Sequence, residues 1–345
     1  MHIQHVNFAK GFRGGERQTL NLMEGLAALG VPQSLVCHPD SELRRRARAA
    51  GYAVRAVRNP LLGHVAPPPQ PDQTIIHVHE ARGAYWAAIE NYLRATPYLI
   101  TRRIPNPVSA NFFNRLVYRR AIELVGVSRD VAARLKERTG HHVHTILDSC
   151  TLHGGDPART AAIRAELGGA PVIGHVGALH DHHKGQSTLI AAFEILGDDF
   201  PNARLVLLGE GPDKGEFQRQ ARNDPRIVFA GFQEDVGSWI AAMDVFAFPS
   251  REEGLGSSVL DAMLLGIPVV TSAVGGLPEL VGDSERGIML DMGNPVQWAA
   301  AIQKMIEDVP LRDQLRKDAL AFAQAHDIAA MTSDYLDIYK DIAGT

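Results

Sequence analysis

The sequence predicts an α/β protein built from two doubly wound, Rossmann-like domains facing each other across a cleft. Three observations predict it. Apolar strand-like runs alternate with helix-like runs from end to end, which is the pattern of βαβ units in parallel sheets. The 345 residues exceed what one hydrophobic core comfortably holds. The charge is also divided along the chain. Residues 1–165 carry 22 Lys and Arg against 12 Asp and Glu, and the remainder carries 13 against 27, so the net −4 conceals +10 and −14. Halves of opposite sign are expected to face different partners.

Taken in order, the strand-like runs of the first half fall at about 2–8, 33–37, 53–57, 74–79, 98–102, 123–128 and 143–147. Helix-like runs such as Glu16–Leu29 and Ala84–Arg94 separate them. Gly63–Pro71, with Pro67-Pro68-Pro69, reads as a surface loop. Leu152–Pro171, with Gly154-Gly155-Asp156-Pro157 and Gly168-Gly169, reads as a linker holding a short helix. A second series opens at Val172-Ile173-Gly174-His175-Val176, with strands at about 204–208, 226–230, 245–248, 267–271 and 287–290. Helical runs near 294–307, 310–325 and 328–342 close the chain. The expected domains are 1–165 and 166–325, with a C-terminal helix over 326–345 packing back on the first.

Composition narrows the class. Hydrophobic content of 45% and charge of 21% are ordinary for a globular protein. Cys37 and Cys150 are far apart and not spaced as metal ligands, which points to a reducing, cytoplasmic setting. Met1–Phe8 reads as a first strand rather than a leader, and no apolar run reaches the ~20 residues of a membrane span.

The chemistry-bearing residues cluster where a strand gives way to a helix, the edge at which open α/β sheets bind ligands. The richest such stretch is Ser250–Met263. There Glu253 sits on a Gly-bearing loop after an apolar run, and Asp261 lies eight positions on, within the helix that the loop starts. Helix-starting amides take phosphate, and carboxylates accept from sugar hydroxyls. Lys184-Gly185, after Gly177–His183, places an ammonium to neutralise phosphate. His180, His182 and His183 beside it read as loop polarity rather than a zinc tract. Gly275-Gly276-Leu277-Pro278-Glu279 offers further amides. In the first half, Gly14 and Gly15 let backbone approach a ligand, and His77 and His79 share one strand face without companion metal ligands in view. No G-x-G-x-x-G opens the first helix, so a dinucleotide site is not supported. No Asp-x-Asp occurs, so the usual metal anchor for a nucleotide diphosphate is missing.

Together these residues resemble the retaining glycosyltransferases of family 4, which have the GT-B fold. The E-x7-E signature is similar to Glu253…Asp261, followed by Ala262-Met263 and Gly266-Ile267-Pro268-Val269. Lys184-Gly185, Gly209-Glu210-Gly211-Pro212, Gly275–Glu279, Gly14–Arg17, Thr101-Arg102-Arg103 and Val127–Val131 match further family elements. The resemblance implies a nucleotide-sugar site in the second domain and an acceptor site in the first. Glu253 would face the donor sugar, Asp261 would hold the ribose, and Lys184 would neutralise the departing diphosphate. His79 would contact sugar or phosphate, and Gly14, Gly15, Leu255, Gly256 and Ser257 would line the same space. Arg102 and Arg103 would meet the acceptor.

The donor would be a UDP-sugar or GDP-sugar, with no metal or other cofactor. The resemblance further implies a glycan or lipid-linked glycan acceptor, as in lipopolysaccharide or other envelope-glycan assembly, and no nucleic-acid partner. Two departures stand out: the second acid is Asp261 rather than Glu, and Ala178 replaces a common arginine. A nucleotide-sugar 2-epimerase of the same architecture and a non-catalytic sugar-nucleotide binder are the competing readings.

The basic first half suits an anionic, membrane-anchored acceptor and a peripheral position on the inner face of the cytoplasmic membrane. The run Asn111–Ala121, with Phe112, Phe113, Leu116 and Val117 beside Arg115, Arg119 and Arg120, either lies on such a surface or buries its apolar side as core.

Overall fold

A computed structural model describes residues 1–344 except 62, 65–72, 107, 110, 151–153 and 169–170. Pro67–Pro69 and part of the expected linker therefore lie outside the described residues.

The chain divides into two compact units, 1–149 together with the segment from His326 onward, and Cys150–Ala325. The first unit runs β1 (His2–Asn7), α1 (Gly14–Ala28), β2 (Gln33–Cys37), α2 (Glu42–Ala49), β3 (Ala53–Ala56), β4 (Thr74–Val78), α3 (Ala81–Arg94), β5 (Tyr98–Arg102), α4 (Phe112–Arg120), β6 (Glu123–Gly126), α5 (Arg129–Thr139) and β7 (His144–Thr145). The second runs α6 (Pro157–Glu166), β8 (Val172–Val176), α7 (Asp181–Lys184), α8 (Gln186–Leu196), β9 (Arg204–Leu208), α9 (Lys214–Gln220), β10 (Ile227–Gly231), α10 (Val236–Ala241), β11 (Val245–Phe248), α11 (Ser257–Leu264), β12 (Val269–Ser272), α12 (Leu277–Val281), β13 (Ile288–Leu290), α13 (Pro295–Glu307) and α14 (Val309–Gln324). The last helix, α15 (Ile328–Ala343), belongs to the first unit.

The sheet orders are β3-β2-β1-β4-β5-β6-β7 and β10-β9-β8-β11-β12-β13, and every pairing is parallel. Each unit is thus doubly wound. Its strand order reverses once, between β1 and β4 in the first unit and between β8 and β11 in the second. Such a switch point opens a crevice at the strand C-termini, because the connections leave it in opposite directions.

Strand alternation sorts the first unit's core into two layers. Val6, Ile76, Val78 and Ile100 face α3, α4 and α5, packing with Trp86, Val117 and Leu135. Ile3, Ile75, Leu99 and Val125 face α1 and α15, packing with Leu22, Leu26, Tyr335 and Tyr339. His5 and His77, register partners across β1 and β4, share the second face. A buried cluster of the second unit includes Leu189, Phe193, Leu205, Leu207, Trp298 and Ile302.

The boundary differs from the expected 165. It falls between Ser149 and Cys150, because the segment that follows is anchored to the second unit. The Asp156 amide donates to Ser238 Oγ at 2.9 Å, and Arg164 on α6 forks onto Asp244 at 2.8 and 3.0 Å. No helix among the described residues is long and apolar enough to cross a membrane.

α15 lies against α1 at Gly25. A side chain there would drive a Cβ into the Thr332 hydroxyl and to 3.1 Å from Ile328 Cγ2. Gly25→Val is expected to destabilise the first unit by about 1–3 kcal/mol through overpacking, read as a lower urea midpoint. An unchanged midpoint would refute this packing.

Candidate functional site

The second unit's switch point is built by three loops. After β8, the chain makes the single turn α7 and ends it at Gly185, whose φ of 64° is left-handed. A Cβ at Gly185 would strike the Pro249 carbonyl, so only glycine lets this turn close on the end of β11. The loop after β11 is then laced to α7. The His183 carbonyl accepts from the amides of Arg251 (2.7 Å) and Glu252 (3.2 Å) and from Ser250 Oγ (3.0 Å), while His183 Nδ1 meets Glu252 Oε2 at 2.8 Å. The histidine run thus serves as a brace between loops. The third loop, after β12, brings Gly275 (φ 57°) so close that a Cβ there would collide with the Glu253 carbonyl.

These constraints place Lys184 Nζ in direct contact with Glu253 Oε2, side chains 20% and 16% exposed. The Lys184 ammonium also lies 4.9 Å from the Phe248 ring centre, a cation–π contact that fixes its stem. Beside the pair begins α11. Its N-cap, Gly256, supplies no side-chain acceptor to the amides of the first turn. Such amides, at the positive end of a helix, form an anion-binding surface. Leu255 is buried, Ser257 is half-buried at the helix start, and Asp261 is 5% exposed on the inward face of α11. The structure therefore brings together Lys184, Glu253, Leu255, Gly256 and Ser257 in the segments that meet at one sheet edge. The Ala178 carbonyl accepts from Gln186 Nε2 at 2.7 Å.

Behind Lys184 stands a residue not singled out from the sequence. His175, fully buried, meets the Ala247 carbonyl through Nδ1 at 3.0 Å, so Nδ1 carries the proton. Burial lowers its pKa, the bond to Ala247 raises it, and the Lys184 charge lowers it again, giving about 4. The ring is a neutral wedge between β8 and β11.

In the first unit the switch point is of another kind. Gly14, exposed, and Gly15, half-buried, begin α1 after β1, and the Arg13 amide donates to Glu16 Oε2 at 2.8 Å. Burial holds the Glu16 carboxyl above its ordinary range. His79 follows β4, but its ring is 4% exposed and faces inward. Arg103 Nη1 lies 3.2 Å from His79 Nδ1. A guanidinium only donates, so Nδ1 accepts, and neutral His79 carries its proton on Nε2. That proton goes to His5 Nδ1 at 2.9 Å, which puts the His5 proton on its buried Nε2. Both ring nitrogens of His79 are therefore engaged, which differs from the expected direct contact with sugar or phosphate.

Arg103 is likewise turned inward, its side chain 8% exposed and its Nε 2.9 Å from Asp148 Oδ1. Arg102 donates to Tyr118 OH at 3.3 Å and to the Asn106 carbonyl. Burial lowers the pKa of His5 to about 3 and drives those of His77 and His79 well below their ordinary value, with Arg103 acting in the same direction.

Two clusters have metal-ligand donors within 4.8 Å of one another: His5, His77 and His79 in the interior, and Glu123, His142 and His144 nearer the surface. The sequence shows His77 and His79 without a companion, and β1 supplies it. The interior trio is already occupied by hydrogen bonds. His77 meets Tyr339 OH at 2.6 Å and Thr101 Oγ1 at 2.7 Å, and the Arg103 cation adjoins His79.

Two doubly wound parallel-sheet units with this loop chemistry fit the GT-B architecture that the resemblance implies. The family model described as glycosyl transferases group 1 matches residues 170–308. The chain is 31% identical over 304 residues to 2-deoxystreptamine N-acetyl-D-glucosaminyltransferase of Streptomyces fradiae, covering 77% of this chain and 67% of the relative. It is 28% identical over 331 residues to the lipopolysaccharide core biosynthesis glycosyltransferase LpsE of Rhizobium meliloti, covering 91% and 92%. The crystal structure of Anabaena HepE in complex with UDP and glucose superposes with a TM-score of 0.85 at 20% identity, covering 99% of this chain and all of that one. The chain belongs to the group 1 glycosyl transferases and is an enzyme of that class.

The neutral His175 carries a pH prediction. Its folded-state pKa lies below the ordinary 6.5, so its contribution is complete above pH 6.5 and is lost as pH falls toward 4. The loss is on the order of 3 kcal/mol. Urea unfolding followed at the β8 amides is expected to show a smaller fall between pH 7 and 4.5 in His175→Asn than in the parent. Equal falls would exclude His175 as the group responsible.

Proposed function

We propose that the protein transfers a hexose or related sugar from a UDP- or GDP-sugar to a glycan or lipid-linked glycan, with retention of anomeric configuration. The observation that carries this reading is the Lys184–Glu253 contact at the β8/β11 switch point, beside the side-chain-uncapped start of α11. An ammonium resting on a carboxylate has an alternative partner ready. When a diphosphate binds, Lys184 moves from Glu253 to the phosphate, and the freed carboxylate accepts hydrogen bonds from the sugar. Negative charge grows on the diphosphate as the glycosidic bond breaks, so Lys184 and the amides near Ser257 act most strongly in the transition state. Asp261 accepts from the ribose hydroxyls.

His79 has a positioning role, since its ring is engaged by His5 and Arg103. Gly14 and Gly15 keep the neighbouring backbone approachable. Arg102 addresses the acceptor, and Arg103 acts through His79. No metal is needed, because the cationic work falls to Lys184 and helix amides and the sequence lacks Asp-x-Asp.

Lipopolysaccharide or another envelope glycan is the pathway that the near full-length similarity to LpsE supports. A peripheral position on the inner face of the cytoplasmic membrane accords with α4, on which Phe112 (74%), Phe113 (68%) and Leu116 (43%) are exposed while Val117 and Tyr118 form core.

A thermal-shift panel is expected to show stabilisation by UDP, GDP or one of their sugars. Lys184→Ala and Glu253→Gln are expected to lower turnover roughly 10²-fold or more with the fold retained, and EDTA to leave turnover unchanged. No stabilisation by any nucleotide, or near-normal turnover in either variant, would overturn the reading. The protein is expected to float with phosphatidylglycerol-containing vesicles at low salt and to release at high salt. Failure to float at low salt rejects peripheral attachment.

A further inference from the structure

The first unit carries a recess made by residues outside its switch point. It has a volume of about 470 Å³ and lies where α4 and the loop before it meet the last turn of α5. Its strongly charged lining is wholly cationic: Arg115 and Arg119 from α4, Arg138 from α5, with His141 just beyond, and no Asp or Glu. Arg115 and Arg119 stand four residues apart on one helix face, so they are neighbours and repel. Among the described residues neither has an ion-pair or hydrogen-bond partner. Arg138 donates through Nε to the Val108 carbonyl at 3.0 Å, which holds the α5 end against the loop and anchors that guanidinium.

The carboxylates of the flanking elements do not answer this charge. Asp130 pairs with Arg134 at 2.8 Å, Glu123 pairs with His144 at 2.9 Å, and Glu137 is not part of the lining. A concave site with three guanidinium groups, a histidine and no internal counter-ion is complementary to a compact polyanion. Guanidinium forks match phosphate oxygens two at a time, which a single ammonium does not.

We infer that this recess is a phosphate subsite, taking a phosphomonoester or pyrophosphate group. Joined to the glycosyltransferase reading, it recognises a phosphorylated part of the acceptor or the headgroup of an anionic lipid. The anion chemistry itself does not depend on that reading, which concerns the second unit's donor loops.

The test uses the full chain carrying Lys184→Ala, so that the proposed donor-site cation does not contribute, and titrates inorganic pyrophosphate by calorimetry. One site is expected, weakened about tenfold or more by Arg115→Ala with Arg119→Ala. The charge-preserving pair Arg115→Lys with Arg119→Lys is expected to recover only part of the affinity. Absence of binding overturns the inference. So does equal affinity in the Ala pair, or full affinity in the Lys pair, which would mark a diffuse field instead of a guanidinium site. Flotation with phosphatidylglycerol–phosphatidylcholine vesicles then identifies the source. Competition by pyrophosphate, lost in the Ala pair, assigns the site to a lipid headgroup, and flotation indifferent to pyrophosphate assigns it to a soluble phosphorylated glycan. UDP-sugar stabilisation of the protein with Lys184 intact reports separately on the donor reading and is expected to be unaffected by the arginine substitutions.

Discussion

One ammonium–carboxylate contact organises the second unit's switch point. Lys184 and Glu253 are 69 residues apart, and neither would keep its place alone. The α7 turn fits against the end of β11 because Gly185 has no side chain. The loop after β11 is held by the His183 carbonyl, and the loop after β12 approaches Glu253 because Gly275 has none either. The pair is mostly shielded from water, so its two charges hold each other in place, and loss of one leaves the other poorly solvated.

The first unit solves its switch point with neutral groups. His5, His77 and His79 lie inside, beneath Tyr335 and Tyr339, and burial keeps all three unprotonated. Arg103 is balanced by Asp148 and sets the proton pattern that runs through His79 to His5. α15 covers this network and contributes two hydroxyls to it, Tyr339 to His77 and Tyr335 to Thr101. The C-terminal helix thus completes a polar interior that α1 and the sheet leave unfinished.

The surface of the first unit adds a third layer of meaning to its charge. Several of its arginines are paired with carboxylates: Arg45 and Arg46 with Glu42, Arg94 with Glu90, and Arg134 with Asp130. Arg115, Arg119 and Arg138 gather around α4 and the end of α5, next to the exposed Phe112 and Phe113. A positive total says little until the paired charges are removed from it.

Most of the architecture was legible in the sequence. All thirteen strands fall within a few residues of the apolar runs, because each strand's burial pattern is a local property with a fixed period. That Lys184, Glu253, Gly256 and Asp261 lie where a strand gives way to a helix was legible because a strand, a Gly loop and a helix start are contiguous in the chain. Three things were decided only by the tertiary structure. Strand order set the partners of His79 and Arg103, bringing His5 from 74 residues away and Asp148 from 45. Packing against α10 drew α6 into the second unit and moved the boundary to Ser149. The inward turn of His79 and Arg103 followed from burial that no alternation pattern discloses. Periodicity reports which face of an element is covered, whereas the identity of the covering group depends on the order in which distant strands pair.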